Sequence, residues 1–270
     1  MDPLASLSDE QCAAVRWVLT DIDDTLTDDG KLGADAYAAM WSLHNAGVGL
    51  VAVTGRPAGW CDAIARQWPV EAVVGENGAL VYYERQGNLR RMYHPQAGGG
   101  RSQRQAARRL ERLGKKIQRA VPGSRIAKDQ FARMFDVAID FAEEPPVLER
   151  EAVIRIAELC RLAGAEAKIS SIHVNAWYGR YSKLEMARLY LQQEHGLDLC
   201  DATAGVAYVG DSPNDSPMFA AVPLSIGVAN VRDFEKELNP PPRYITDGRG
   251  GKGFAEFARR VLLARASKPA

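Results

Sequence analysis

Three carboxylates stand within four positions in the segment Thr20-Asp21-Ile22-Asp23-Asp24-Thr25-Leu26-Thr27. The residues before them, Val15 to Thr20, are apolar except for Arg16, and such a run reads as a buried strand that stops at Asp21. In extended geometry Asp21 and Asp23 point to the same side. Carboxylates held that close repel each other unless a cation or a shared proton intervenes. Taken alone, the segment also reads as a solvated acidic turn opening into Asp28-Asp29-Gly30. A second apolar run, Val206 to Val209, ends in Gly210-Asp211-Ser212-Pro213-Asn214-Asp215 and again places two carboxylates just beyond a strand. Here a turn with Asp215 at a helix N-cap and a functional role are compatible. Four aspartates brought to one sheet edge make a hard-oxygen site suited to magnesium.

Two further elements belong with these. In Val51-Ala52-Val53-Thr54-Gly55-Arg56 a strand-end hydroxyl, a glycine permitting close backbone approach and a helix start together make a phosphate cradle. Ser182 and Glu185 have capping-box spacing, which puts Lys183 in the first turn of a helix. A cation there opposes the helix dipole, so the position calls for an anion or carboxylate partner. His173 and Asn175 alternate on one face of a strand and could both face the site. Arg125, Lys128 and Arg133 could meet a second anionic group, and Trp177 and Tyr178 read equally as hinge packing or a substrate platform. Gly248-Arg249-Gly250-Gly251-Lys252-Gly253 is not a P-loop, because Thr246 stands where a glycine is needed and Gly253 replaces the Ser/Thr that would hold magnesium. His44, His94 and His195 have no metal-ligand spacing.

The elements that must position these residues alternate. Val15–Thr20, Val48–Val53 and Glu71–Val74 read as buried strands, with helices over Asp35–Ala46 and Pro57–Trp68 between them. The rhythm returns with a helix over Tyr181–His195, strands over Val206–Val209 and Leu224–Val228, a short helix over Asp215–Val222 and a closing helix over Phe254–Ala264. This predicts a doubly wound parallel α/β core with helices on both faces, in which ligands bind at the carboxyl ends of the strands. Between the two parts the texture changes to strands (Val81–Glu84, Leu89–Tyr93, Arg125–Ala127, Met134–Phe141 and one long Ala167–Tyr178) with two helices among them. The reading is an α/β core of residues 1–83 and 179–270 interrupted by an α+β domain of residues 84–178.

Lys+Arg and Asp+Glu are both 34, so a neutral chain has no electrostatic reason to favour nucleic acid or an anionic membrane. The basic run from Arg101 to Arg119, with Glu111 alone against it, has apolar residues at three- and four-residue steps and reads as an amphipathic helix with a solvated face. Cys12, Cys61, Cys160 and Cys200 lie far apart with no C-x-x-C pair, which fits a reducing cytoplasm. No apolar run reaches the ~18 residues of a membrane span, and Asp2 and Asp9 precede the first Arg, unlike a signal peptide. The expected location is cytoplasmic, the expected partner a small molecule, and oligomeric state is open.

In order and strand-end placement, Asp21-Ile22-Asp23-Asp24-Thr25, Thr54-Gly55-Arg56, Lys183 and Gly210-Asp211-Ser212-Pro213-Asn214-Asp215 resemble the four motifs of haloacid dehalogenase (HAD) superfamily phosphatases. The large α+β insertion between the second and third motifs, and Glu76-Asn77-Gly78-Ala79 just before it, are similar to the Cof-type and sucrose-phosphate-phosphatase-like branch, in which the insertion is a cap. The resemblance implies a magnesium-dependent phosphatase acting on a small phosphoester, such as a sugar phosphate, through an aspartyl-phosphate intermediate. Asp21 would be the nucleophile and Asp23 the acid and then the base. Thr54, Gly55, Lys183 and Asn214 would hold the phosphoryl group. Magnesium would bind the Asp21 carboxylate, the Asp23 carbonyl and Asp211, with Asp215 ligating through water or orienting Lys183. Arg56, Asn77, His173 and Asn175 would contact the rest of the substrate. A phosphomutase keeping the same aspartates, or a catalytically idle regulatory module, are the alternatives.

Overall fold

The structure is a computed structural model that describes residues 1–97, 101–170 and 172–267. From the N-terminus come β1 (Asp2–Pro3), α1 (Asp9–Ala13), β2 (Trp17–Thr20), the small hairpin β3 (Thr27–Asp28) and β4 (Lys31–Leu32), then α2 (Ala34–Asn45), β5 (Gly49–Val53), α3 (Ala58–Gln67) and β6 (Ala72–Gly75). A hairpin of β7 (Leu80–Arg85) and β8 (Asn88–Tyr93) precedes α4 (Arg101–Ala120), β9 (Arg125–Ile126), β10 (Asp136–Asp140), α5 (Arg150–Leu162), β11 (Glu166–Ile169) and β12 (His173–Trp177). The chain returns through α6 (Lys183–His195), β13 (Val206–Gly210), α7 (Ser216–Ala221), β14 (Leu224–Gly227), β15 (Tyr244–Ile245) and α8 (Gly250–Ala266).

The large sheet has the strand order β1-β15-β14-β13-β2-β5-β6-β7-β8. It is parallel from β1 to β6 and antiparallel over β7 and β8. Successive strand residues serve opposite faces. Val18 joins a cluster with Met40, Leu43, Phe254 and Phe257 from α2 and α8. Leu19 joins another with Met186, Tyr190, Leu191 and Phe219 from α6 and α7. Apolar residues at every strand position are what burial on both faces requires. From β2 the chain winds one way to β5 and β6, and later the other way from β13 to β14, so the strand order reverses between β2 and β13. The carboxyl ends of these two strands therefore flank the crevice where open α/β sheets bind ligands.

A second sheet, β11-β12-β10-β9, is antiparallel throughout. Val137, Ile139, Val174 and Ala176 point from it into a cluster with Leu110, Leu113 and Ile117 of α4 and Ile156 and Cys160 of α5. The alternate residues Asp136, His173, Asn175 and Trp177 occupy the other face.

Two expectations need correction. The β7–β8 hairpin does not open the insertion at residue 84 but extends the large sheet, with Gly75 paired to Leu80 and β8 paired to β7 out to Asn88. Without β7, the outer edge of β6 would leave its backbone groups unpaired. The single long strand expected over Ala167–Tyr178 is two antiparallel strands, joined where Ser170 Oγ accepts from His173 N at 3.0 Å. A serine that competes for backbone hydrogen bonds can turn a chain whose alternation otherwise reads as continuous.

The insertion is tied back to the core. The Glu76 carboxylate, fully buried, accepts from Ala58 N at 2.9 Å in the core and from Met134 N at 2.8 Å and Asp136 N at 3.1 Å in the insertion. Gly78 sits at φ +103°, and a Cβ there would lie 2.0 Å from Ser182 O, so only glycine lets the two chain crossings pass this closely. Among the described residues no helix is long and apolar enough to cross a membrane.

Candidate active site

Asp21 N donates to Val209 O at 3.0 Å, continuing the β2–β13 pairing one step past the strand. The first residues beyond each strand, Asp21 and Asp211, are thereby set close together. Lys183 opens α6, capped by Ser182 Oγ accepting from Glu185 N at 3.2 Å. Its ammonium donates to Asp21 Oδ1 at 2.7 Å, to Asp215 Oδ1 at 3.2 Å and to Asn214 Oδ1 at 3.5 Å. The cation misplaced for the helix dipole thus has carboxylate partners from two other elements.

Asp21, Asp211 and Asp215 are all buried and offer carboxylate oxygens within 4.8 Å of one another, a grouping able to hold a metal ion. The Lys183 ammonium pairs with two of the three carboxylates, Asp21 and Asp215. Burial, with Asp215 and Asp23 adding to it and Lys183 opposing, pushes the Asp21 carboxyl up to about 7. Burial, then Asp215 and Asp21, raise Asp211 well above the usual carboxylate range. Burial pulls the Lys183 ammonium down, but Asp21 and Asp215 outweigh it and the net shift is upward. Asp215 is the most fully occupied of the three. Its Oδ1 accepts from Lys183 and from Tyr208 OH at 2.6 Å, and its Oδ2 from Asp211 N at 3.1 Å and Ser212 N at 3.4 Å. Asp21 is met by Lys183 at Oδ1 and Asp211 by Thr25 Oγ1, also at Oδ1, at 3.1 Å.

The Asp23 side chain stands outside this trio. It takes Arg56 Nη2 at 2.7 Å and Nε at 3.0 Å, while Arg56 Nη1 reaches Glu143 Oε1 at 3.1 Å across to the insertion. The guanidinium also lies 4.6 Å from the centre of the Trp60 ring. Glu143 Oε2 is 2.9 Å from His173 Nε2, and that contact first, then Arg56, hold the Glu143 carboxyl down to about 2 against the opposing effect of burial. A chain of polar contacts, Asp23–Arg56–Glu143–His173, therefore runs from core to insertion.

Of the residues that the family resemblance places at the site, all but Thr54 and Asp215 line one cavity between the sheets. Thr54 is fully buried, its Oγ1 accepting from Arg56 N at 3.0 Å, so it shapes the loop from behind. Arg125 and Lys128 are not at the cavity. Arg125 holds Asp140 and the carbonyls of Glu144 and Pro146, and Lys128 pairs with Glu144. Arg133 lines the cavity, but its guanidinium is taken up by Asp129, Asp136 and Gly55 O. Trp177 is buried and stacked on Tyr181 at 5.7 Å, and Tyr178 lies under the Arg109 guanidinium at 3.7 Å. Glu143 and Asp136 were not legible as site residues. Each is an isolated acid whose partners come from distant segments, and no local spacing marks it.

A largely parallel sheet with its acidic site at the topological switch and an α+β insertion facing that site define the class: a doubly wound α/β scaffold with an inserted α+β unit. Residues 18–96 match the family described as haloacid dehalogenase-like hydrolase. The chain thus carries the haloacid dehalogenase-like hydrolase fold, with that family's sequence pattern in its first core segment. No curated protein sequence matches the chain. Among solved structures it is similar to the Thermoplasma acidophilum 0175 protein, at 17% identity over 92% of this chain and 99% of that one, with a TM-score of 0.69. A haloacid dehalogenase-like hydrolase from Bacteroides thetaiotaomicron is similar at 16% identity over 92% and 99% of the chains, with a TM-score of 0.65. The sucrose-phosphatase of Synechocystis sp., in complex with sucrose and phosphate, is similar at 14% identity over 91% and 97%, with a TM-score of 0.61. At these identities the likeness is one of fold.

Proposed function

We propose that the chain is a magnesium-dependent phosphatase that hydrolyses small phosphorylated metabolites, sugar phosphates foremost, through an aspartyl-phosphate on Asp21. The observation that carries the reading is the buried trio Asp21, Asp211 and Asp215, two of which, Asp21 and Asp215, pair with the Lys183 ammonium at the cavity. That donor set fits a hard divalent cation: the ligands are oxygens, and their negative charge exceeds what Lys183 neutralises. Asp21 and Asp211 would hold the ion, with the Asp23 carbonyl as third ligand, while Asp215, already occupied on both oxygens, keeps Lys183 and the 211–212 backbone in place. Bound magnesium supplies positive charge that lets a phosphate dianion approach a carboxylate.

In the first step a carboxylate oxygen of Asp21 attacks phosphorus. The new bond is Asp21 oxygen to phosphorus, and the bond broken is phosphorus to the ester oxygen. Asp23 gives a proton to the departing oxygen, then takes one from the water that attacks phosphorus and restores the Asp21 carboxylate. Lys183, Gly55 and Asn214 hold phosphoryl oxygens, and Arg56 must release Asp23, which takes up a proton from solvent before it protonates the leaving oxygen. The fold likeness to a sucrose-phosphatase and to a trehalose-6-phosphate phosphatase related protein supports a sugar phosphate as substrate. The test is inorganic phosphate released from a panel of sugar phosphates and p-nitrophenyl phosphate, with magnesium and with excess chelator after dialysis. Release with magnesium and none with chelator is expected. Full turnover in chelator contradicts the metal, and no release from any ester contradicts the activity.

A further inference from the structure

Asp136 starts β10 on the face turned toward the cavity, with no exposed side-chain surface. Arg133 Nη1 lies 3.0 Å from its Oδ1 and 3.1 Å from its Oδ2. Two carboxamides also converge on Oδ2: Asn175 Nδ2 from β12 at 3.0 Å, and Asn77 Nδ2 from the core loop at 3.4 Å. Chemistry dictates this orientation. An amide oxygen turned toward an ion-paired carboxylate would set acceptor against acceptor with no proton between them, so each amide must offer its NH2. Each Asn oxygen is then turned away from Asp136. Asn77 Oδ1 lies 3.2 Å from where a Cβ on Gly55 would stand, and Gly55, Asn77 and Asn175 all line the cavity that holds Asp21 and Lys183.

Resting on the proposed phosphatase reading, we infer that Asp136 is a specificity-determining positioning residue. It touches no substrate. By fixing two amides at once it presents their oxygens as hydrogen-bond acceptors on the wall facing the leaving group. Such a wall suits hydroxyl donors of a polyol leaving group and disfavours one that offers only acceptors or a bare ring. Reversing an amide would put its NH2 on the cavity side and its oxygen against Asp136, so the selectivity is built into the buried carboxylate. Lys168, across the strand pair from Asn175, is exposed and adds a donor at the cavity edge without bearing on the two amides.

A merely structural Asp136 makes a different expectation. Through Arg133, which donates to Gly55 O at 3.0 Å, it would steady the core loop and affect every ester alike. The deciding quantity is the ratio of kcat/KM for the preferred member of a hexose phosphate panel to kcat/KM for p-nitrophenyl phosphate, whose leaving group carries no further hydroxyl. Asp136→Asn keeps the shape and removes the charge that orients the amides. The ratio should fall about tenfold, the loss of roughly one good hydrogen bond, and the fall should appear in KM rather than kcat. Asn175→Ala should lower the same ratio, and adding Asp136→Asn to it should lower the ratio less than Asp136→Asn does alone. If Asp136→Asn does not fold, Asn175→Ala decides alone: an unchanged ratio overturns the inference. An equal loss on both esters in folded Asp136→Asn also overturns it, as does a wild-type protein that prefers p-nitrophenyl phosphate to every hexose phosphate. A wild-type protein that hydrolyses no ester removes the phosphatase reading itself, which the other outcomes leave standing.

Discussion

Lys183 was legible in the sequence because it breaks a local rule: a cation in the first turn of a helix needs a reason, and Asp21 and Asp215 are that reason. Asp21, Asp23 and Asp211 were legible because acids rarely follow directly on buried apolar strands. Glu143 and Asp136 carried no such mark, since what distinguishes them is tertiary pairing with Arg56, His173, Arg133 and two asparagines. At this scale the account separates the group that meets the phosphoryl common to all substrates from groups that meet the variable part. Lys183→Ala removes the ammonium paired with Asp21 and Asp215 and should cut kcat/KM for every ester by roughly 10²-fold or more, as loss of a preorganised charge partner does. Steady-state kinetics across the ester panel checks it. A loss confined to some esters would move Lys183 from phosphoryl binding to leaving-group recognition.

The secondary elements of the core followed from their patterns, because strands buried on both faces and helices between them leave strong periodic signals. The insertion was harder. Its strands are short, one ends in a serine turn, and the hairpin before it joins the large sheet because β6 has an open edge to fill. How it sits on the core is decided by pairs remote in sequence, chiefly Arg56–Glu143 and the Glu76 carboxylate. Glu143 offers a pH test of that seating. Its folded carboxyl is held down to about 2 from an ordinary 4.5, so it stabilises the folded state at pH above 4.5 and loses that contribution as pH falls toward 2. Wild type should therefore melt higher than Glu143→Gln at pH 6, with the gap narrowing as pH is lowered through 4.5. The side chain is partly exposed, which keeps the effect modest. A gap that stays constant or widens toward acid, measured by thermal unfolding at several pH values, contradicts the seating role.

Across the whole molecule, winding in opposite directions from β2 and β13 creates one crevice, and the catalytic proposal depends on what stands there. The placement of Asp21 and Asp211 at adjacent strand ends follows from topology that the βα rhythm already implied. Which of Asp21 and Asp23 attacks phosphorus does not follow from topology. It rests on Asp21 lying with Lys183 at the cavity floor while Asp23 is turned to Arg56. That assignment can be read directly. Enzyme turning over p-nitrophenyl phosphate with magnesium is quenched in acid and reduced with borohydride, which converts an aspartyl-phosphate to homoserine. Cleavage after Arg16 and Lys31 gives one peptide, Trp17–Lys31, that carries both aspartates, and fragment masses distinguish them. Homoserine at position 21, formed only with substrate and magnesium present, is the expected result. Turnover with the reduction product at position 23, or with no modified peptide at all, would contradict the account.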